Sequence, residues 1–357
     1  MTDIAEILDP AALEVQIAGG LITRRRLAGT SIVVYNYTAR AASKNLWTVE
    51  TVHCRGLVVD EASGVVLARP FAKFFDLDHT SVPTGGPIVA SEKVDGSLGV
   101  LYRRSDGWAI TTRGDPNSWQ AAAATELWRN RHGSVTPPDG VTWLFEIVLP
   151  ENRVVVDYGE RRELIGLAAI DIATGRDIGL PQGFDGPMAE RVDCSDGHLA
   201  EILGEMERQG NREGLVLLWP DDNVRAKVKL AAYTRLHRLL FATSTKTVWE
   251  ALVAGDDPLA GYDNTPDELR AFVAERAQRM RRRHEQLVAG AEAFVYRLGP
   301  HVRADRRLAA QEIKKAAQPG LCFLALDGHT QGLRDAAWKL VRPARAEMFA
   351  TEDETND

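Results

Sequence analysis

The sequence predicts an α+β protein: a mixed, largely antiparallel domain over residues 1–240, followed by an all-α domain over residues 241–348. Three observations predict it. Short runs rich in β-branched and aromatic residues crowd the first two-thirds of the chain. Few of them alternate regularly with helical stretches, which argues against a doubly wound parallel sheet. From about residue 231 the texture changes to Ala, Arg, Leu and Glu at helical spacing.

The opening stretch MTDIAEILDPAALEVQIAGG is acidic and helical in pattern, unlike a signal peptide. Strands are expected at 31–37, 56–60, 65–69, 99–103, 108–113, 142–148, 164–172, 214–219 and 224–230. Many are bounded by the Gly, Asp or Asn that turns require. Helical patterns interrupt them at about 116–132 and 197–210. Later helices are expected over 231–254, 266–298, 304–317 and 330–348, with Pro266 placed to begin the second of these. The acidic tail at 349–357 is expected to be disordered.

With 357 residues the chain is long enough for two cores. Its 45% apolar and 26% charged content is that of an ordinary globular protein. No apolar run approaches the roughly 20 residues of a membrane span, so no membrane partner is expected. Cys54, Cys194 and Cys322 lie far apart, which excludes a CxxC metal site and suggests a reducing cytoplasm. The histidines lack zinc-ligand spacing. Neither G-x-x-x-x-G-K-[ST] nor G-x-G-x-x-G occurs. The net charge of -7 does not advertise a nucleic-acid binder, yet residues 241–345 hold 17 Lys+Arg against 13 Asp+Glu. A net-acidic chain can still bind nucleic acid when positive charge gathers in one groove.

Five segments put ionisable residues where an ordinary strand does not want them. In SEKVDGS (91–97), Lys93 and Asp95 share a strand face, and Gly96 lets the backbone turn or be approached closely. A polar strand end would look similar. Glu146 sits inside the apolar run TWLFEIV, where an unpaired carboxylate would cost several kcal/mol, so it needs a cation, a metal or a ligand hydroxyl. Glu213 opens the apolar strand GLVLLW and is either functional or a solvated strand end. Lys227 and Lys229 share a face of RAKVKL; against an acidic ligand they would form a phosphate clamp, otherwise a basic surface. Upstream, CRGLVVDEASGVVLARPFAKFF (54–75) carries Arg55 before a turn-forming glycine, and Lys73 beside Phe74 and Phe75.

Taken in order, these segments resemble the covalent nucleotidyltransferases, the superfamily of polynucleotide ligases and capping enzymes, whose nucleophile motif K-x-D-G is matched by Lys93-Val94-Asp95-Gly96. Within it the chain looks like the bacteriophage RNA ligase 1 type. YNY (35–37), CRGLVVD, RPFAKFFDL (69–77), FEIVLPENRVVVDY (145–158), REGLVL and KVK match that type in order and spacing over about residues 31–235. The resemblance implies an adenylation domain and an ATP-dependent RNA ligase. Lys93 would attack the α-phosphate of ATP to give lysyl-AMP, AMP would pass to an RNA 5′-phosphate, and a 3′-hydroxyl would displace it. An attacking lysine must be neutral, and Lys227 and Lys229 are the cations available to favour that form.

The resemblance also implies the remaining roles. Glu146 would hold ribose hydroxyls, Lys227 and Lys229 the α-phosphate, and Arg55 and Lys73 the ATP phosphates or the RNA end. Phe75 would stack near adenine and Tyr37 would line the nucleotide pocket. Asp95 and Glu213, with Glu146, would organise a divalent ion, Mg²⁺ or Mn²⁺. Where the family has lysine before the glycine of TTRGD, this chain has Arg113 as the candidate phosphate contact, and the two are not interchangeable. The implied partner is RNA with 5′-phosphate and 3′-hydroxyl ends, in RNA repair. Residues 241–357 do not align with the phage substrate-recognition domain, so tRNA specificity does not carry over, and oligomeric state stays open. The alternatives are a DNA-ligase or capping-type nucleotidyltransferase, disfavoured by the helical rather than strand-rich C-terminal half, and a non-catalytic RNA-end-binding protein.

In the helical half, Arg276, Arg279 and Arg283 fall at i, i+3 and i+7, one stripe of a helix. The stripe is either a solvated basic face or, with Arg306, Arg307, Lys314 and Lys315, an RNA-backbone contact.

Overall fold

Side-chain alternation sorts the first part of the chain into layers. The computed structural model describes residues 1–348 apart from Thr84, Asp193, 195–197, 263–264 and 266. The expected helix starts at 197 and Pro266, and the tail at 349–357, lie outside the described residues. Two compact units emerge, Met1–Arg235 and a second from Leu236 onward.

Among the described residues the first unit holds fourteen strands. They are β1 (Ile22–Arg26), β2 (Ile32–Tyr37), β3 (Arg55–Asp60), β4 (Val65–Ala68), β5 (Phe75–Asp76), β6 (Val89–Lys93) and β7 (Ser97–Arg104). The rest are β8 (Gly107–Thr112), β9 (Val141–Val148), β10 (Glu163–Asp171), β11 (Asp177–Gly179), β12 (Arg191–Val192), β13 (Gly214–Trp219) and β14 (Val224–Lys229). They form three sheets with orders β1-β2-β3-β4, β11-β10-β9-β7-β8 and β12-β6-β13-β14-β5. All strand pairs are antiparallel except β14 with β5. The expected mixed, largely antiparallel α+β architecture is what the structure has.

Period-two alternation places each core. Val100 and Tyr102 of β7, with Leu144 of β9, face Val34, Val58 and Ala68 of the first sheet. Leu101, Trp143, Phe145 and Ile147, on the opposite faces, pack against Trp128 of the helix Trp119–Arg131. Strand β9 is therefore buried on both faces, which explains its nearly unbroken apolar run. Beneath the first sheet, Val33, Leu57 and Val59 pack on Leu13 of the helix Pro10–Ala18.

All nine expected strands are present. The short ones, β1, β5, β6, β11 and β12, carry too few apolar residues to show a pattern; β6 reads VASEK. The stretch expected as one helix at 231–254 breaks into Ala231–Ala242 and Thr245–Ala254, because Ser244 caps the latter in a capping box. The last helix stops at Val341 rather than 348, two residues before Pro343. A helix at Pro319–Leu326 was not expected; its apolar length packs against the long helix Asp267–Arg297.

One glycine is indispensable to the third sheet. Gly214 has φ +154, and a Cβ there would lie 1.9 Å from the Val228 carbonyl oxygen. Gly214→Ala should destabilise the first unit by about 3 kcal/mol or more, the upper range for strained backbone with a clash added. Urea denaturation checks this, and a loss under about 0.5 kcal/mol, the range of ordinary surface changes, would show that the sheet accommodates a side chain.

Candidate active site

The third sheet brings the candidate nucleophile and its partners into one row. Lys93 ends β6, and the strand register sets Gly214 of β13 opposite both Lys93 and Lys229. Glu213, immediately before β13, is 2% exposed and accepts from both ammonium groups: Lys93 Nζ to Oε2 at 2.9 Å, Lys229 Nζ to Oε1 at 2.9 Å. Lys227, two residues back on the same face as Lys229, is also buried. Two cations thus share one buried carboxylate, with a third close in the same strand.

Asp95 has a different environment. Its Oδ2 accepts from the backbone N–H groups of Val155 at 2.8 Å and Val156 at 2.7 Å, and its Oδ1 accepts from the Tyr233 hydroxyl at 2.8 Å. Its own N–H donates to Tyr158 Oη at 2.9 Å. Burial, and next the neighbouring Glu213 charge, push its carboxyl up to about 6, against the opposing pull of the Val156 and Val155 donors and of Lys93. Burial likewise raises the Tyr158 phenol. Gly96 follows where a Cβ would sit 2.6 Å from the Ile147 carbonyl and 3.1 Å from Glu146 Cγ, so only glycine lets β7 leave this turn against β9.

Glu146 alternates with Phe145 and Ile147, so it turns away from the Trp128 core and into a cavity that Lys93 and Arg55 also line. Apolar walls come from Phe71, Phe74, Leu98 and Val216. The Arg55 guanidinium lies 4.9 Å from the Phe71 ring centre and 5.6 Å from that of Phe74. A buried Arg225–Asp177 ion pair between β14 and β11 closes another wall.

Lys73 and Phe75 line a second pocket of about 350 Å³, which shares Phe74 and Arg225 with the first. Phe75 is edge-on to Trp47, which is edge-on to Tyr37, and Lys73 Nζ sits 5.4–5.8 Å from all three ring centres. Arg113 stacks over Tyr37 at 4.8 Å and donates to its hydroxyl. Trp47, Tyr158, Tyr233 and the Arg225–Asp177 pair are site residues that sequence reasoning missed. Only Tyr158 lay within a recognised motif.

The expected carboxylate set divides. Asp95 is engaged by three protein donors and Glu213 by two lysines. Among the described residues no group of three or more His, Cys, Asp and Glu side chains is arranged to hold a metal ion. No closed cage is built for a resident metal. A hard cation arriving on nucleotide phosphates needs only one or two carboxylates, and that demand the site fits.

Two curated proteins are similar to the chain in sequence. RNA ligase 1 of bacteriophage TS2126 is 30% identical over 155 residues, covering 38% of this chain and 38% of its own length. A protein of Autographa californica nuclear polyhedrosis virus, named as a bifunctional polynucleotide kinase/RNA ligase, is 22% identical over 278 residues, covering 69% of this chain and 39% of its own. The chain is similar to RNA ligases of the nucleotidyltransferase superfamily. It spans about two-fifths of the length of these curated relatives. Among solved structures, an archaeal ATP-dependent RNA ligase superposes with TM-score 0.45 at 16% identity, over 78% of this chain and 79% of that one. No family model matches.

The buried Asp95 makes stability depend on pH in a definite sense. Its folded pKa lies above the unfolded carboxylate value near 3.9, so its contribution is fully present below that value and is lost as pH rises through about 6. Asp95→Asn should therefore gain stability relative to wild type as pH rises from about 4 to 7, by up to about 3 kcal/mol. Parallel denaturation profiles for the two proteins across that window would refute the assignment.

Proposed function

We propose that the chain is an ATP-dependent RNA ligase that joins 5′-phosphate and 3′-hydroxyl RNA ends through a lysyl-AMP intermediate. The observation that carries this reading is Lys93, buried at the head of Lys93-Val94-Asp95-Gly96, lining a cavity with Glu146 and held in register with Glu213 and Lys229.

Lys93 Nζ, after losing its proton, attacks the α-phosphorus of ATP. A P–N bond forms, the bond to the bridging α–β oxygen breaks, and pyrophosphate leaves. Glu213 Oε2, 2.9 Å from Nζ, is the acceptor within reach of that proton. Lys227 and Lys229 stabilise charge on the transferring phosphoryl group as fixed point charges. The Phe71 and Phe74 walls receive the adenine, and Glu146 accepts from ribose hydroxyls; Phe75 faces the second pocket instead. AMP then passes from Lys93 to the RNA 5′-phosphate, which Lys73 and Arg55 hold. The 3′-hydroxyl of the second end attacks that phosphate, forming the phosphodiester and releasing AMP. Mg²⁺ or Mn²⁺ supplies charge neutralisation when bound with ATP, and Glu213 and Glu146 would hold it. Asp95 acts as a tether rather than a ligand, because its oxygens already accept three protein hydrogen bonds.

RNA repair in a reducing compartment goes with this reading. All three cysteines are buried, and no helix among the described residues is long and apolar enough to cross a membrane.

Incubation with α-labelled ATP and Mg²⁺, followed by a denaturing gel, should show covalent label on wild type and none on Lys93→Ala. Lys227→Ala and Lys229→Ala should each slow labelling roughly 10- to 150-fold, the worth of one charge-assisted contact of about 1.5–3 kcal/mol. Label on Lys93→Ala would end the proposal. Substrate class has its own test: single-stranded or loop-broken RNA with 5′-phosphate and 3′-hydroxyl ends should be sealed, and nicked duplex DNA poorly. Efficient sealing of nicked DNA would favour a DNA-ligase function.

A further inference from the structure

The second unit contains a pocket of about 320 Å³ that nothing in the proposed chemistry uses. Arg279 and Arg283, one turn apart on Asp267–Arg297, supply one wall, and Arg345, just after the last helix, supplies another. The apolar lining comes from Met280, Leu340, Val341 and Pro343.

Its charges are not balanced from within. Arg276, the first member of the expected stripe, is used structurally: it donates to Glu275 at 2.6 Å and to Glu347 at 2.7 Å, and lies 4.4 Å from the Phe272 ring centre. Among the described residues Glu347 is the only acidic residue lining the pocket, and Arg276 already claims one of its oxygens. Among the described residues none of Arg279, Arg283 and Arg345 has an ion-pair or hydrogen-bond partner. Arg306, by contrast, is bound to both oxygens of Asp327, and Lys315 is paired with Glu312 at 2.8 Å, which removes them from a basic binding surface.

The pocket is also held in shape. The Glu347 carbonyl accepts from Thr245 N–H at 2.8 Å, and Glu347 N–H donates to Thr245 Oγ1 at 2.9 Å. Thr245, the first residue of the helix Thr245–Ala254, lines the same space. Three guanidinium groups and an apolar wall form a site for an anion with apolar flesh attached. That is the chemistry of a nucleotide unit: phosphate on the arginines, ribose and base against the wall.

We infer that Arg279, Arg283 and Arg345 bind a phosphate of the single-stranded RNA substrate, independently of sequence. The inference rests on the RNA-ligase reading for the identity of the anion, and its test separates the two. A fluorescein-labelled single-stranded oligoribonucleotide is titrated against wild type and Arg279→Gln/Arg283→Gln/Arg345→Gln over a range of KCl concentrations. The triple variant should bind more weakly, and its log–log salt slope should fall by about 0.7, the value for one lost single-strand phosphate contact. Arg281→Gln/Arg282→Gln, two exposed arginines outside the pocket, should change it far less. An unchanged slope in the triple variant, or an equal fall in the Arg281/Arg282 control, overturns the site. Self-adenylation of the triple variant, read with α-labelled ATP, should match wild type, and its loss would overturn the separation of the two roles. If wild type binds the RNA through these arginines but never self-adenylates, the enzymatic reading fails and the pocket stands.

Discussion

The arrangement of the first unit turns on one buried carboxylate held between two ammonium groups. Glu213 is 2% exposed, and isolated there it would carry a desolvation cost of several kcal/mol. Lys93 and Lys229 offset that cost at 2.9 Å each, and the three groups come from adjacent positions on three strands. Register and charge therefore enforce each other. A one-residue slip of β6 or β14 would turn a lysine to the other face and leave Glu213 half-compensated. Lys227, also buried, lies two residues from Lys229 on the same strand.

The K-x-D-G spacing acquires a division of labour from the same geometry. Lysine enters the row, while aspartate reaches the segment Val155–Val156 and the Tyr233 hydroxyl. Glycine admits the close passage of β7 beside Ile147. The turn that follows Lys93 is thereby tied to a loop from the neighbouring sheet and to Tyr233. On the far side of the cavity, Arg225 and Asp177 join β14 to β11, again one strand from each sheet. A cavity clamped at both ends by buried charged contacts keeps its walls aligned without help from the ligand.

How much of this was legible depended on where the signal resides. Strands such as β9 and β10 announce themselves because burial on a sheet selects β-branched and aromatic residues. Strand β6 does not, since VASEK is polar at the end that carries Lys93. The ionisable residues of the row were legible as anomalies in apolar or same-face contexts. Their partnerships were not. The donors to Asp95 at Val155 and Val156 are backbone groups, which leave no mark on residue identity. Phe74 and Phe75 differ by a single step of alternation, and only the fold decides which one faces the Lys93 cavity. Trp47 joins the Tyr37–Phe75 aromatic group from a loop with no motif of its own.

The helical unit shows the same limit in electrostatic form. Periodicity places Arg276, Arg279 and Arg283 on one stripe, but periodicity says nothing about counter-charges distant in sequence. Glu347 lies 71 residues from Arg276 and removes it from the binding set, whereas Arg345, which no helical period connects to the stripe, joins it. Net charge misleads for the same reason: a chain at -7 still presents three uncompensated guanidinium groups in one pocket. What attracts an anion is the local field left after ion pairing. A basic site is therefore defined by which cations the fold leaves unneutralised, and composition cannot contain that information.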